Sequence, residues 1–349
     1  MTMPHIEMRP GYVASRMIRG GWQLSGDHGA VDRALAVEDF VHFYDAGITT
    51  FDCADIYAGV EEIYGDGLRL LADLRGADAA ASVKIHTKYV PDFASLPTHS
   101  AADVERIITR SLTRLGRERL DLVQFYWWNP EVPGMLDMVG HLVDLQSRGL
   151  IDRIGMTNFD HLKMAEIAGA CDLVAAQVQF SLLDRRPVGD FTNVARQHDV
   201  HLICYGVLAG GFLTDHWLGQ PDPGFQFENR SLIKYRLIIE EFGGWPAFQN
   251  LLAALRTIAD RHDADIAAVA IRAMLDDPDA SAVIVGARYA RHLPRTLRAI
   301  DIELSDQDRA ELRAIQSSAP GPSGPVYGLE RDKTGRHGKI MKYNLNDGT

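Results

Sequence analysis

Residues 47–67 read GITTFDCADIYAGVEEIYGDG, a segment in which an apolar run ends at Asp52 and a tyrosine, Tyr57, follows five residues later. The run TTFDC at residues 49–53 is short, β-branched and aromatic, which is typical of a buried strand. In parallel α/β barrels the active site lies at the carboxyl ends of the strands, which is where this carboxylate and this phenol are placed. The segment therefore predicts a strand with an active site at its carboxyl end.

Short runs of the same kind recur along the chain and alternate with amphipathic stretches. Apolar side chains recur at helical spacing in residues 36–47, 100–116 and 138–150. Two of these stretches end on a glycine, Gly47 and Gly116, where a helix end takes up left-handed conformation. Eight runs predict eight strands, at residues 17–24, 49–53, 83–88, 120–126, 152–158, 175–180, 201–206 and 282–287.

Polar residues close successive predicted strands at a regular distance. The separations between Asp52, Lys88, Tyr126 and Thr157 are 36, 38 and 31 residues. This period is close to the roughly 30 residues of one βα unit in a barrel of ~250 residues. We therefore predict an α/β protein with a single (β/α)8 TIM barrel over residues 1–316. A doubly wound dinucleotide-binding sheet is disfavoured, because no G-x-G-x-x-G follows the first predicted strand.

Two segments depart from the βα repeat. Residues 206–245 separate the seventh predicted strand from the next predicted helix, and loops of that length are usually functional or disordered. Their aromatic residues, with Arg230, Lys234 and Arg236, favour an ordered cover over the barrel mouth. The C-terminal tail, residues 317–349, begins with a Pro/Gly/Ser-rich linker and later carries Ile340, Met341 and Tyr343. We expect it to fold over the same mouth, and the alternative is a frayed terminus.

The composition limits the kinds of partner. The 349 residues have a net charge of −11 and are 46% hydrophobic, so no basic footprint for nucleic acid or an anionic membrane is present. No apolar run is long enough to span a bilayer, and we expect a cytoplasmic location. Three cysteines without C-x-x-C spacing and histidines without ligand spacing predict no disulfide framework and no metal site. The expected partner is a small molecule, and the sequence leaves the oligomeric state open.

The residues at the strand ends suggest proton chemistry. In a parallel barrel all strands end on one face, so Asp52, Lys88 and Tyr126 are expected to converge with Tyr57. A tyrosine with a pKa of ~10 is a poor proton donor and acceptor at neutral pH, and a neighbouring ammonium lowers that pKa. We predict that Lys88 supplies this charge and that Asp52 holds Lys88 in place and keeps it protonated.

The segment from Asp52 to Tyr57 and the HTKY sequence containing Lys88 resemble the corresponding motifs of the aldo-keto reductases, and the resemblance covers nearly the whole chain. It implies an oxidoreductase that reduces an aldehyde or ketone, or oxidises the alcohol, with Tyr57 as general acid/base tuned by Lys88 and Asp52. The segment LDLVQFYWWNP resembles the family segment that carries a catalytic histidine, but Tyr126 holds that position here. A tyrosine hydroxyl also donates a hydrogen bond, so Tyr126 is included among the candidate catalytic residues.

The same resemblance implies a cradle for a nicotinamide cofactor. GMTNF at residues 155–159 is similar to the motif that binds the carboxamide, and Tyr205 corresponds to the aromatic residue under the nicotinamide ring. Arg288 could grip a 2′-phosphate as a planar fork, so NADP(H) is favoured and NAD(H) is not excluded. The full set of expected cofactor-binding residues is Gly21, Trp22, Asp52, Thr157, Asn158, Gln177, Tyr205, Gly206, Val207, Leu208, Gly210, Gly286, Arg288, His292 and Thr296.

The missing histidine leaves a second hypothesis open. Related channel-associated subunits also lack that histidine, so the resemblance is compatible with a nicotinamide-cofactor-binding sensor or partner subunit that turns over slowly or not at all. A non-redox barrel enzyme such as a lyase is a third alternative.

Overall fold

Eight parallel strands close into a barrel in the computed structural model, which describes residues 2–26, 28–319 and 321–343. An antiparallel hairpin, β1 (His5–Arg9) and β2 (Tyr12–Ser15), precedes the barrel. The predicted (β/α)8 architecture is confirmed, because the last strand pairs in parallel with the first. In ring order from the first, the barrel strands are β3 (Met17–Gly20), β4 (Thr50–Asp52), β5 (Lys84–Tyr89), β6 (Leu120–Phe125), β7 (Ile151–Thr157), β8 (Leu173–Gln179), β9 (His201–Tyr205) and β10 (Ala282–Gly286).

The predicted helical stretches form helices whose ends carry recognisable capping residues. The helix that begins at Ala101 has Ser100 as its N-cap in a capping box with Asp103, and it ends at Gly116, whose φ of 64° is left-handed. The α-helices are α1 (Arg33–Asp45), α2 (Val60–Arg75), α3 (Ala77–Ser82), α4 (Ala101–Leu115), α5 (Met135–Ser147), α6 (His161–Ala170), α7 (Asp190–Gln197), α8 (Arg230–Phe242), α9 (Gly244–Arg261), α10 (Ile266–Leu275), α11 (Leu293–Asp301), α12 (Asp306–Ser318) and α13 (Gly328–Arg331).

Side chains along the barrel strands alternate between two cores. Met17 packs in the core that the helices share, whereas the next residue, Ile18, belongs to a separate cluster with Leu122 of β6. Tyr12 of the hairpin joins this second cluster, and the backbone N–H of Ser15 donates to the hydroxyl of Thr50 at the start of β4, at 2.9 Å. The hairpin therefore closes the amino-terminal end of the barrel and leaves the carboxyl end for the active site.

The segment after β9 contains a helix that the sequence analysis misses. The prediction that no helix precedes Trp245 is wrong, because α8 begins at Arg230. Its N-cap, Asn229, accepts a hydrogen bond from the backbone of Ser231, and its buried face includes Ile238 and Ile239. Short 3-10 turns at Ala209–Gly211 and Asp215–Trp217 order the rest of the segment.

The described part of the tail lies against the carboxyl ends of the strands. Arg186, in the loop after β8, donates to both carboxylate oxygens of Glu330, at 3.0 and 3.2 Å. Further along the tail, the ring of Tyr343 packs 5.1 Å from that of Trp128. The predicted boundary at residue 316 falls inside α12, which ends at Ser318. Residues 344–349 of the predicted tail lie outside the described residues.

Candidate active site

A buried ion pair joins the ends of two neighbouring strands. Lys88 of β5 donates to Oδ2 of Asp52, the last residue of β4, at 2.7 Å, and to the carbonyl of Cys53, also at 2.7 Å. The other carboxylate oxygen of Asp52 accepts from the amide groups of Gln124 at 3.0 Å and Gln177 at 2.6 Å. Strand pairing places the two charges together, and the amides fix the orientation of the carboxylate.

Tyr57 lies above this ion pair in the turn that follows β4. The ammonium nitrogen of Lys88 is 5.0 Å from the centroid of the Tyr57 ring. The ring of Trp22 packs edge-on against Tyr57, with centroids 4.9 Å apart. The predicted convergence of Asp52, Tyr57 and Lys88 is therefore present, and Lys88 is the residue that connects the other two.

The electrostatics of Lys88 and Tyr57 follow from burial and from their mutual contact. Burial works to lower the pKa of Lys88, but the charges of Asp52 and Tyr57 raise it above its usual range, so the ammonium stays protonated. Burial raises the pKa of Tyr57, Lys88 opposes that rise, and Asp52 adds to it. The predicted net lowering of the Tyr57 pKa is wrong, because desolvation of the ring outweighs the ammonium. The phenol is therefore protonated at neutral pH, as a proton donor must be.

Tyr126 follows β6 directly and is buried among aromatic rings. Its ring centroid lies 4.9 Å from that of Trp128 and 6.2 Å from that of Tyr327 in the tail. Burial raises the pKa of Tyr126 well above its usual range. Tyr327 has a left-handed φ of 61°, which turns the tail at this contact. Tyr126 is thus a neutral hydroxyl group that the tail helps to hold.

A single cavity of about 420 Å³ brings most of the predicted residues together. Four candidate catalytic residues line it, namely Asp52, Tyr57, Lys88 and Tyr126. The predicted cofactor-binding residues that also line it are Trp22, Thr157, Asn158, Gln177, Tyr205, Gly206, Val207, Leu208, Gly210 and Gly286. Gly21 lies behind the lining, and its N–H donates to the carbonyl of Asp52 at 2.7 Å. The neighbouring atoms leave no room for a side chain at this position.

The ends of β7, β8 and β9 present amide and hydroxyl groups to the cavity. Tyr205 donates to Oδ1 of Asn158 at 2.8 Å, which orients the amide and leaves its NH2 group available as a donor. The hydroxyl of Thr157 donates to the carbonyl of Gln177 at 3.2 Å, and the Gln177 amide donates to Asp52. Asn158, more than Gln177, is therefore the group that fits a carboxamide oxygen.

Close packing of Tyr235, a residue that the sequence analysis misses, requires glycine at two positions after β9. Gly206 and Gly210 have φ values of 79° and 65°, and a Cβ on either would lie 3.0 or 2.7 Å from the ring of Tyr235. Tyr235 belongs to α8 and lines the cavity with Arg230, Ser231 and Lys234. The indole N–H of Trp22 donates to the hydroxyl of Ser231 at 2.8 Å, which joins α8 to the turn after β3.

The three predicted residues at the adenosine end are not part of the cavity lining. Arg288 donates to the carbonyls of His28 at 2.9 Å and Gly29 at 2.8 Å, and it also contacts the carbonyl of Ala30. The hydroxyl of Thr296 donates to the carbonyl of His292, one turn earlier in its own helix, at 3.1 Å. The structure thus gives Arg288, His292 and Thr296 local roles in the loop and helix after β10.

Two negative observations concern the described residues alone. Within residues 2–26, 28–319 and 321–343, no group of three or more His, Cys, Asp or Glu side chains is arranged to hold a metal ion. In the same ranges, none of the helices has the length and apolar character that a membrane span requires.

The chain is similar to known proteins over nearly its full length. The Aldo/keto reductase family model matches residues 16–317. Aldo-keto reductase YhdN of Bacillus subtilis (strain 168) is 25% identical over 328 residues, which cover 91% of this chain and 95% of that protein. NADH-specific methylglyoxal reductase of Escherichia coli (strain K12) is 24% identical, and the match covers 86% of this chain and 94% of that protein.

Solved structures share the barrel. The glycerol dehydrogenase AKR11B4 from Gluconobacter oxydans is 22% identical with a TM-score of 0.74, covering 93% of this chain and 97% of that chain. The thermostable aldo-keto reductase Tm1743 has a TM-score of 0.69 at 24% identity, covering 90% and 100%. The family model extends from just before β3 into α12, so it includes every barrel strand. The protein therefore belongs to the aldo/keto reductase family of oxidoreductases.

Proposed function

We propose that the protein reduces the carbonyl group of a small aldehyde or ketone to an alcohol, or catalyses the reverse oxidation, with NADP(H) as cofactor. The observation that carries the proposal is the position of Lys88, whose ammonium donates to Asp52 at 2.7 Å and lies 5.0 Å from the centroid of the Tyr57 ring inside the cavity. This arrangement provides a phenol with a nearby cation, as proton transfer to a carbonyl oxygen requires.

The lining of the cavity supports a nicotinamide cofactor. Asn158 has an amide donor for a carboxamide oxygen, Tyr205 offers a flat ring, and the backbone of Gly206 and Gly210 can approach phosphates closely. When bound, the reduced cofactor supplies a hydride to the carbonyl carbon of the substrate. We infer that Arg288 exchanges its contacts with the carbonyls of residues 28–30 for a 2′-phosphate and thereby favours NADP(H). The name of the NADH-specific relative makes NAD(H) the alternative to test.

Side chains of the protein itself would transfer the proton to the substrate. Tyr57 donates its phenolic proton to the carbonyl oxygen as negative charge develops there, and Lys88 stabilises the phenolate that remains. Asp52 keeps Lys88 charged, and the amides of Gln124 and Gln177 keep Asp52 in place. Tyr126 donates a second hydrogen bond to the carbonyl oxygen and orients it. In the oxidation direction, Tyr57 takes up the alcohol proton.

A sensor or partner subunit with little turnover is the second candidate. The observation that favours it is the burial of Tyr126 between the rings of Trp128 and Tyr327, whose centroids lie 4.9 and 6.2 Å from its own. A hydroxyl enclosed in this way has less access to a substrate. Both candidates bind the cofactor, so binding alone does not separate them.

Fluorescence titration with NADPH and NADH, followed by a panel of aldehydes and ketones, tests the proposal. A reductase binds one cofactor tightly and oxidises it when a suitable carbonyl is added. A sensor binds the cofactor and leaves it reduced with every carbonyl. Failure to bind either cofactor would refute both candidates and favour a non-redox barrel enzyme.

A further inference from the structure

The cavity is locally basic in a strongly acidic protein. The chain as a whole carries a net charge of −11. The charged side chains that line the cavity are one carboxylate, Asp52, and four cations, Lys88, Arg230, Lys234 and Lys342. Asp52 and Lys88 neutralise each other in their ion pair. The lining thus contains three more cations than carboxylates, of which Arg230 and Lys342 have interactions of their own, and an excess of cationic side chains in a cleft favours anionic small molecules.

Lys234 is the cation whose surroundings are most completely described. It lies on α8, and its ammonium donates to the hydroxyl of Tyr205 at 3.4 Å. The ammonium also lies 4.8, 5.8 and 6.0 Å from the ring centroids of Tyr205, Tyr235 and Tyr327. Among the residues that the structure describes, no carboxylate lies within the 4.0 Å of an ion pair with it. Burial lowers the pKa of Lys234, and the charge of Glu330 partly opposes this effect.

The two acidic residues whose charges act on Lys234 are hydrogen-bonded to Arg186 instead. Glu330 accepts from the guanidinium of Arg186 through both oxygens, at 3.0 and 3.2 Å. Asp184 also accepts from Arg186, at 2.7 Å, and from the amide of Gln179, at 2.6 Å. Asp184 and Glu330 share the single guanidinium of Arg186, so their excess negative charge acts on Lys234 from a distance, but neither carboxylate contacts its ammonium. An ammonium has three N–H donors, and among the described residues Lys234 uses one of them, to Tyr205, so an anionic oxygen from outside can accept the others.

The position of Lys234 points toward the substrate. Tyr327 is the shared neighbour, since its ring lies 6.0 Å from the Lys234 ammonium and 6.2 Å from the ring of Tyr126. Tyr126 is the residue assigned above to the carbonyl oxygen. We propose that Lys234 binds an anionic group, a carboxylate or a phosphate, which the carbonyl substrate carries in addition to its reacting group. This inference rests on the proposed function for the identity of the ligand as a substrate.

Two matched pairs of aldehydes test the inference by activity. Succinic semialdehyde is compared with pentanal for the carboxylate, and glyceraldehyde 3-phosphate with glyceraldehyde for the phosphate. The proteins are the wild type, Lys234→Met, Lys234→Arg and Lys163→Met, the last removing one positive charge from α6, away from the cavity. We expect Lys234→Met to lower kcat/KM at least tenfold for one anionic aldehyde, mainly through KM, and to change its neutral partner less than twofold. Lys234→Arg should restore part of the preference, and Lys163→Met should retain it.

Binding without turnover separates the substrate from the cofactor. Calorimetric titration of succinate and of inorganic phosphate into the NADP+-loaded protein should show binding that Lys234→Met weakens at least tenfold. The Kd of NADPH should be unchanged in the same variant. A parallel loss of NADPH affinity and of activity on neutral and anionic aldehydes alike would assign Lys234 to the cofactor and overturn the inference, as would wild-type behaviour of Lys234→Met in every measurement.

The two experiments also distinguish this inference from the proposed function. Binding of succinate or phosphate that depends on Lys234, in a protein that turns over no carbonyl, would support the anion site and refute the reductase. Reduction of neutral carbonyls without any contribution of Lys234 to anion binding would support the reductase and overturn the anion site.

Discussion

The carboxylate of Asp52 and the ammonium of Lys88 are 2.7 Å apart, and both side chains are about 95% buried from solvent, with exposures of 5% and 6%. A buried ion pair is retained at a desolvation cost, so it has to be well bonded. Asp52 accepts three side-chain hydrogen bonds, and Lys88 donates to Asp52 and to the carbonyl of Cys53. The pair therefore serves both the stability of the barrel mouth and the electrostatics of Tyr57.

The variant Asp52→Asn tests the contribution of the pair to stability. It leaves Lys88 buried without its counter-charge, and we expect a loss of about 3–5 kcal/mol in the free energy of unfolding. The double variant Asp52→Asn/Lys88→Met should recover most of that loss, because neither charge remains. Urea unfolding of the three proteins is the measurement. Equal stability of Asp52→Asn and the wild type would show that the pair contributes nothing to folding.

Removal of the hydroxyl group of Tyr126 should slow the reaction without unfolding the protein. If this hydroxyl donates to the carbonyl oxygen, Tyr126→Phe should lower kcat roughly 10²-fold, as loss of one such donor does elsewhere. Thermal unfolding of the same variant controls for its contact with Tyr327. A kcat equal to that of the wild type would make Tyr126 a part of the apolar lining only.

The turn after β9 should tolerate no side chain at position 210. Gly210→Ala is expected to destabilise the protein by about 1–3 kcal/mol because of its left-handed φ of 65°, and its Cβ would also meet the Tyr235 ring at 2.7 Å. Gly140→Ala is the control, since Gly140 lies inside α5 and a Cβ there meets nothing within 4 Å. We expect that control to stabilise the protein by about 0.5–1 kcal/mol. Chemical denaturation that ranks the two variants in the opposite order would contradict this account of the turn.

A buried histidine should make stability depend on pH. Burial lowers the pKa of His86 from 6.5 to about 3, with Lys88 and Lys84 adding to the effect, and the ring stacks 6.1 Å from that of Tyr12. Between these two values the unfolded chain binds a proton that the folded protein excludes, so stability falls as pH decreases below about 6.5. The slope from this residue is at most about 1.4 kcal/mol per pH unit.

The control for His86 is the variant His86→Leu, which has no proton to bind. The difference in unfolding free energy between this variant and the wild type should shift in favour of the variant from pH 7.5 to pH 5. A difference that is the same at both pH values would show that His86 is protonated equally in the folded and unfolded states.

Sequence patterns predict the strands and the residues at their ends because barrel topology alone brings these residues together. Asp52, Lys88, Thr157 and Tyr205 each end or follow a strand whose apolar run is readable, and all of them line the cavity. Tyr57 is found by its short distance along the chain from Asp52. No knowledge of loop paths is needed for any of these residues.

The residues that the sequence does not reveal depend on loop and tail paths. Gln124 is an interior residue of β6. Its contact with Asp52 follows from the register of the strands, which a single sequence does not reveal. Tyr235 and Tyr327 reach the cavity from α8 and the tail, whose folding over the mouth sets their position. Arg288 has the chemistry of a phosphate ligand, yet the loop at residues 28–30 supplies carbonyl partners for it that no local pattern predicts.

Single-turnover mixing tests the central assignment, that Tyr57 beside Lys88 delivers the proton during carbonyl reduction. NADPH is bound first to the wild type and to Tyr57→Phe, and an aldehyde from the panel that the wild type reduces is then added while cofactor fluorescence is followed. We predict rapid oxidation of bound NADPH by the wild type, and a rate at least 10²-fold lower for Tyr57→Phe with unchanged NADPH affinity. Equal rates for the two proteins, or no oxidation by the wild type with any carbonyl of the panel, would contradict the account.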